Sequence, residues 1–195
     1  MKIVIIKYNS GNVKSVANAL ERLGWSYSIS DNETEILAAD KVILPGVGSA
    51  SSTMPFLTNK GLDQTIKKVQ QPLLGICLGM QLLCSHTEEG NTDALGIFNV
   101  SVKKFPFKQG YKIPHMGWNS IQLSEGSWLP SSVQNKSVYF VHSYYVESNQ
   151  WNAATSDYIQ PFSVAMKKDN FYATQFHPEK SGDIGELILK EFLSL

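Results

Sequence analysis

The first eighty residues alternate short, unbroken apolar runs with stretches of helical periodicity, and that alternation leaves few folds open. The runs IVII (3–6), VIL (42–44) and LLGI (73–76) put apolar side chains on consecutive positions, so both faces of each strand must be covered. Between the first two, Val13, Val16, Ala17, Leu20 and Leu23 recur at helical spacing and are closed by Gly24. Strands are expected over 2–7, 25–30, 41–44 and 72–76, with helices over 13–23 and near 63–69 and 78–86. A parallel sheet with crossover helices is the arrangement that buries such strands.

After Gly96 the pattern changes to closely spaced short runs, read as strands over 97–103, 119–123, 138–142, 153–157, 163–167 and 171–176. Asp169-Asn170 marks a turn between the last two, and Ile184, Leu187, Ile188 and Phe192 give a final helix one apolar face. No repeat, low-complexity tract or linker interrupts the chain. The expectation is one α/β domain over 1–195, its sheet parallel at first and mixed later.

A chain of 195 residues buries about 70% of its unfolded surface on folding, enough for a substantial core. Lys+Arg 17 balances Asp+Glu 17, and no basic cluster exceeds a pair, which argues against nucleic acid as a partner. The apolar run at 3–6 is too short for a signal peptide and that at 73–84 too short to span a bilayer, so a cytoplasmic protein without membrane partners is expected. If Cys77 and Cys84 share one helix they lie about 10 Å apart, beyond disulfide reach.

Gly75-Ile76-Cys77-Leu78-Gly79 falls where a strand gives way to a helix, the setting of a nucleophile elbow with Cys in place of Ser. Small neighbours let the backbone turn tightly, and the helix N-terminus favours a thiolate. The other reading is a buried Cys acting as a small apolar residue.

A thiol nucleophile needs a base, and the base an orienting acid. His86, nine residues along the expected helix, is about 13 Å up its axis. His115, in the loop-like stretch IPHMGWN, and His142, ending VYFVH, have no acid two residues away. His177 is followed by Pro178-Glu179, and proline's bias toward extended geometry puts residues 177 and 179 on one side of the chain. Taken alone, this is equally a strand-end histidine beside a solvated glutamate. Pro45-Gly46-Val47-Gly48 follows the strand 41–44 at the carboxyl edge, where its amides and that of Leu78 could face a developing oxyanion; as an ordinary turn it would need no function.

Together Gly46-Val47-Gly48, Gly75-Ile-Cys77-Leu-Gly79-Met-Gln81 and His177-Pro178-Glu179 closely resemble the class I glutamine amidotransferases, over essentially the whole chain. The resemblance implies a flavodoxin-like, mixed, mostly parallel sheet flanked by helices, a Cys77-His177-Glu179 triad, an oxyanion hole at Gly46, Val47 and Leu78, and no cofactor or metal. It also implies a glutamine pocket built from Gly48, Gln81, Glu89, Ser143 and Tyr144.

Within the family, Tyr8-Asn9-Ser10-Gly11-Asn12, Pro114-His115-Met116-Gly117-Trp118-Asn119 and the ending Lys180-Ser181 are similar to glutaminase subunits of imidazole glycerol phosphate synthases. That likeness implies glutamine hydrolysis in a heterodimer with a (β/α)₈-barrel cyclase, which takes the ammonia to make imidazole glycerol phosphate and AICAR in histidine biosynthesis. It places Asn12, Trp118 and Lys180 at or near the interface, and relatives suggest that the Val47 amide turns toward the oxyanion only when the partner is occupied. A glutaminase serving a surface-sugar amidation enzyme, a non-catalytic binding subunit of the same fold and a γ-glutamyl peptidase stand as alternatives.

Overall fold

A computed structural model describes residues 1–9 and 12–195; Ser10 and Gly11 of the N-terminal motif lie outside the described residues. The first half runs β1 (Ile3–Ile6), α1 (Val13–Arg22), β2 (Tyr27–Ser30), α2 (Glu33–Leu37), β3 (Lys41–Leu44), α3 (Ala50–Asn59), α4 (Leu62–Lys68), β4 (Leu73–Ile76) and α5 (Leu78–Leu83). There follow β5 (Cys84–Thr87), β6 (Thr92–Asp93), β7 (Phe98–Lys104), β8 (His115–Ser120), β9 (Gln122–Leu123) and β10 (Ser137–His142). The chain closes with β11 (Tyr144–Val146), β12 (Asn152–Asp157), β13 (Pro161–Lys168), β14 (Phe171–Thr174) and α6 (Gly182–Ser194).

The main sheet has the order β2-β1-β3-β4-β14-β13-β11-β7-β5-β6. Its first five strands are parallel, and the chain then turns back antiparallel through β13, β11 and β7. This is the expected mixed α/β sheet flanked by helices.

The unbroken apolar runs serve two cores at once. Ile3, Ile5, Ile43, Leu74 and Ile76 pack under α1 and α6 against Val16, Leu20, Ile188 and Phe192. Their alternates Val4, Ile6, Val42, Leu44 and Leu73 face Ile36, Leu57 and Ile66 on α2, α3 and α4. Period-2 alternation thus feeds both layers from the same strands.

Two expectations fail locally. The helix after Cys77 ends at Leu83, and Cys84–Thr87 instead form β5, parallel to β7. Amides of Leu95 and Gly96 cap the carbonyls of Leu82 and Cys84, so tertiary pairing wins over continued helix, and the two cysteines do not share one. His86 therefore is not on the Cys77 helix; it pairs with Asp93 at the surface. The stretch around His115 is a strand, not a loop: β8 pairs β10 as a separate antiparallel ribbon with His142 opposite His115.

The register that matters most joins β4 to β14, with Ile76 beside Thr174. Both strands end at the same edge of the sheet, so the residues that follow them, Cys77 on one and Gln175 to Glu179 on the other, emerge together.

Candidate active site

Cys77 has φ 52° and ψ −107°, an uncommon conformation for a side-chain-bearing residue, at the point where β4 turns into α5. Its N–H is tied to the Thr174 carbonyl at 2.7 Å, and its own carbonyl accepts the Gln81 N–H at 3.2 Å, starting the helix. The flanking glycines are required by close approach. A Cβ on Gly75 would sit 2.7 Å from Leu83 Cδ1 and 2.8 Å from the Gly79 carbonyl oxygen, while one on Gly79 would strike the Leu44 carbonyl.

His177 is completely buried, and its Nδ1–H donates to Glu179 Oε1 at 2.7 Å. The Asn12 amide donates to the same carboxylate oxygen. Nε2 is buried without a partner at hydrogen-bond distance among the described residues, yet Cys77 is near enough to act on its charge. Burial disfavours the imidazolium, but the Cys77 anion and then the Glu179 carboxylate outweigh it, raising the His177 pKa to about 10. A positively charged imidazole held between the Cys77 sulfur and a carboxylate can donate a proton to a leaving group.

A cavity of about 290 Å³ opens over Cys77, lined by Val47, Gly48, Leu78, Gln81, Glu89 and His142 to Tyr144 among others. It suits a small molecule with a few placed polar groups. Leu78 N–H stands in the first turn of α5, where helix geometry supplies no acceptor. Gly46 presses against that turn so closely that a Cβ would lie 2.6 Å from both Leu78 Cβ and Gly79 N. The loop 45–48 is therefore seated beside the elbow, and the Tyr8 hydroxyl donates to the Pro45 carbonyl.

Glu89 is half-buried, and its Oε2 accepts the Ala50 N–H at the start of α3 at 2.7 Å. Gln81 Nε2 donates to the Tyr144 carbonyl at 3.2 Å and to Gln175 Oε1 at 2.9 Å. Both its N–H groups are then engaged, leaving Gln81 Oε1 without a protein donor among the described residues and able to accept one from a ligand.

Sequence reasoning missed Gln175. It is completely buried, and its Nε2 lies 3.7 Å from Cys77 Sγ. Strand alternation does not place these residues: β14 ends at Thr174, and, contrary to the expected extended run, Pro178–Lys180 form one turn of 3-10 helix that brings the Glu179 carboxylate back onto His177.

Of the residues expected at a partner surface, Trp118 is 59% exposed and Lys180 is exposed. Asn12 is 5% exposed and its amide is committed to Glu179. Among the described residues no three His, Cys, Asp or Glu side chains gather as a metal site, and no helix is long and apolar enough to cross a membrane.

Comparison with known proteins gives the family. The family described as "Glutamine amidotransferase class-I" matches residues 4–194. The chain is 55% identical, over the whole of both chains, to the imidazole glycerol phosphate synthase subunit HisH of Bacteroides fragilis strain YCH46. It is 43% identical to the subunit of that name from Idiomarina loihiensis, covering 100% of this chain and 98% of the relative. Among solved structures, a glutamine amidotransferase superposes with a TM-score of 0.75 at 17% identity, covering 98% of this chain and 97% of the other. PurLQS from Thermotoga maritima gives 0.70 at 15%, covering 99% and 97%; these two likenesses concern the fold alone.

Proposed function

The chain belongs to the class-I glutamine amidotransferase family, and from that premise we propose that it is the glutaminase subunit of an imidazole glycerol phosphate synthase. It hydrolyses glutamine to glutamate and hands the ammonia to a (β/α)₈-barrel cyclase in histidine biosynthesis. The observation that carries the chemistry is Cys77, at φ 52° in the wall of the cavity, with the buried His177-Glu179 pair, joined at 2.7 Å, close enough behind it to feel its charge.

Cys77 Sγ attacks the side-chain amide carbon of glutamine, and the carbonyl oxygen takes the negative charge. The Leu78 N–H, with those of the Gly46-Val47 loop, stabilises that oxyanion. As the C–N bond breaks, His177 Nε2 gives its proton to the departing ammonia, leaving a γ-glutamyl thioester on Cys77. The now neutral His177 takes a proton from water, whose oxygen attacks the thioester; glutamate leaves and the thiolate returns. Glu179 holds the imidazole in the tautomer with Nδ1 protonated throughout.

Glutamine is held by its amino-acid end. Glu89 and the bare Gln81 Oε1 suit its ammonium, and Gly48 and the Ser143-Tyr144 backbone complete the pocket. The 1–195 chain acts as one amidotransferase domain in the cytoplasm, without nucleic acid or membrane partners. Trp118 and Lys180 meet the cyclase directly, while Asn12 reaches it only through the triad. Ammonia released into neutral water would mostly become unreactive ammonium, which favours a sealed interface. The Val47 amide completes the oxyanion hole when that partner is occupied.

The test is glutamate formation from glutamine with and without the barrel cyclase and its nucleotide ligand, using Cys77→Ala as the blank. Stimulation by the occupied cyclase that disappears in the variant is the expected result. Equal activity without the cyclase would discard the gating, and inactivity in every combination would discard the assignment.

A further inference from the structure

Two imidazoles outside the triad form a buried pair that links the glutamine cavity to a second groove. His142 ends β10 and lines the cavity over Cys77. His115 begins β8 and lines an open groove of about 590 Å³ that also contains Trp118 and none of the triad. Their rings meet with His115 Nδ1 at 3.0 Å from His142 Nε2.

The pair has a direction. His142 Nδ1 lies 2.7 Å from the Tyr144 carbonyl, which can only accept, so Nδ1 carries the proton. Burial pushes His142 down to about 3 and His115 down to about 4, so both rings are neutral at physiological pH. His142 Nε2 is therefore bare and accepts from His115 Nδ1–H. The His115 ring is itself clamped by stacking, 3.9 Å from the Tyr158 ring centroid and 4.8 Å from that of Phe140.

The Tyr144 carbonyl at the end of this chain also accepts Gln81 Nε2. Both of its lone pairs are taken, one by each donor, and the carbonyl is fixed from two sides. The backbone it belongs to is the cavity wall at Ser143-Tyr144, and the Gln81 amide it orients presents its oxygen for a ligand.

We propose that His115 is a positioning residue for glutamine binding, acting through His142 to hold the Tyr144 carbonyl and the Ser143-Tyr144 wall of the cavity. The inference rests on the glutaminase reading above. His115 touches neither substrate nor Cys77; it fixes the tautomer of the ring that does line the cavity.

Two variants separate its hydrogen bond from its packing. His115→Phe keeps an aromatic ring between Tyr158 and Phe140 but has no donor. His115→Asn places an N–H close to the former Nδ1 and loses the stack. In the complex with the cyclase, His115→Phe should raise the glutamine KM about three- to tenfold, the worth of one buried hydrogen bond, with kcat within about twofold. His115→Asn should restore most of the KM despite its poorer packing.

Nitrogen-15 NMR of the free chain reads the relay without any turnover. Wild-type His142 should appear as the neutral Nδ1–H tautomer, and His115→Phe should shift its Nε2 resonance by removing the donor. An Nε2–H tautomer in the wild type overturns the proposal even if the Phe variant does not fold. So does an equal rise of KM in both variants, which would mean packing alone. Wild-type protein inactive with every cyclase state, but with the expected His142 tautomer, would instead count against the glutaminase reading.

Discussion

Cys77 N–H donates to the Thr174 carbonyl at 2.7 Å, so the nucleophile's backbone is fastened to the strand that delivers His177 three residues later. The triad is thereby set by one strand pairing, β4 with β14, although its members lie a hundred residues apart in the chain. Distance along the triad is fixed by sheet register, and orientation by the side chains around His177.

Glu179 supplies that orientation. Its Oε1 accepts both His177 Nδ1–H and the Asn12 amide, and its Oε2 is buried without a partner among the described residues. Glu179→Gln removes the charge and lets the side chain offer N–H where an acceptor is needed. Glutamine turnover in the cyclase complex should fall about 10²–10⁴-fold, the range expected when the orienting acid of a triad is made an amide. Steady-state kinetics should show the loss in kcat, with KM changed far less; a loss confined to KM would contradict the orienting role.

The charge on His177 gives a pH signature. Its folded pKa is raised to about 10 against an ordinary value near 6.5. A raised histidine binds its proton more tightly in the folded state, so this contribution to stability is fully present below about pH 6.5 and is lost as the pH rises through about 10. Denaturant titrations across that window should show declining stability in the wild type. Cys77→Ala removes the group that most raises the pKa, so the decline should begin at the same pH but be smaller and end at lower pH. The imidazole proton resonance of His177 should titrate earlier in the variant than in the wild type. An identical midpoint in both proteins would contradict the coupling.

Much of this was legible in sequence because the chemistry depends on short local patterns. GICLG fixes an elbow by steric need, and His177-Pro178-Glu179 names the pair, although a 3-10 turn over Pro178–Lys180 and not period-2 geometry joins it. What was not legible comes from contacts between distant segments. The helix Ala50–Asn59 contains Pro55 and a run of serines and threonines that obscure its periodicity, and β5 forms only because β7 offers it an edge. His115 reads as loop until β10 lies beside it, and Asn12 reads as surface until Glu179 takes its amide. In the last three cases the partner lies from about fourteen to more than 160 residues away, and no local propensity encodes it.

Gly46 tests how closely the oxyanion loop must sit against the elbow. A methyl there would meet Leu78 Cβ and Gly79 N at 2.6 Å and the Tyr8 hydroxyl at 2.9 Å. Two of these partners are held by the start of α5, so relief requires the loop to retreat. Gly46→Ala should cost about 1–3 kcal/mol of stability from overpacking. It should also lower glutamine turnover by about 10²-fold or more as the loop amides leave the oxyanion position. Thermal melting and turnover in the complex measure the two effects. A folded variant with wild-type turnover would show that the loop's seat against Leu78 is not needed for the chemistry.

Gln175 joins the nucleophile to the pocket through a single amide. Its Nε2 faces Cys77 Sγ at 3.7 Å and its Oε1 takes the Gln81 amide at 2.9 Å. The thiol form of Cys77 has another acceptor in the Val141 carbonyl at 3.8 Å, whereas the thiolate gains from an N–H donor, so the Gln175 amide favours the reactive state. Gln175→Met preserves length and burial but removes donor and acceptor together. Alkylation of the free chain by iodoacetamide at fixed pH should slow about tenfold, the scale of a hydrogen bond to a charged group. The signal belongs to Cys77 alone, because Cys84 is completely buried and burial pushes its thiol far up, out of the reactive range. In the complex, glutamine KM should rise as well, since Gln81 loses one of the two acceptors that orient it. Unchanged alkylation in a folded Gln175→Met protein would leave the amide as a support for Gln81 only, with no hold on the sulfur.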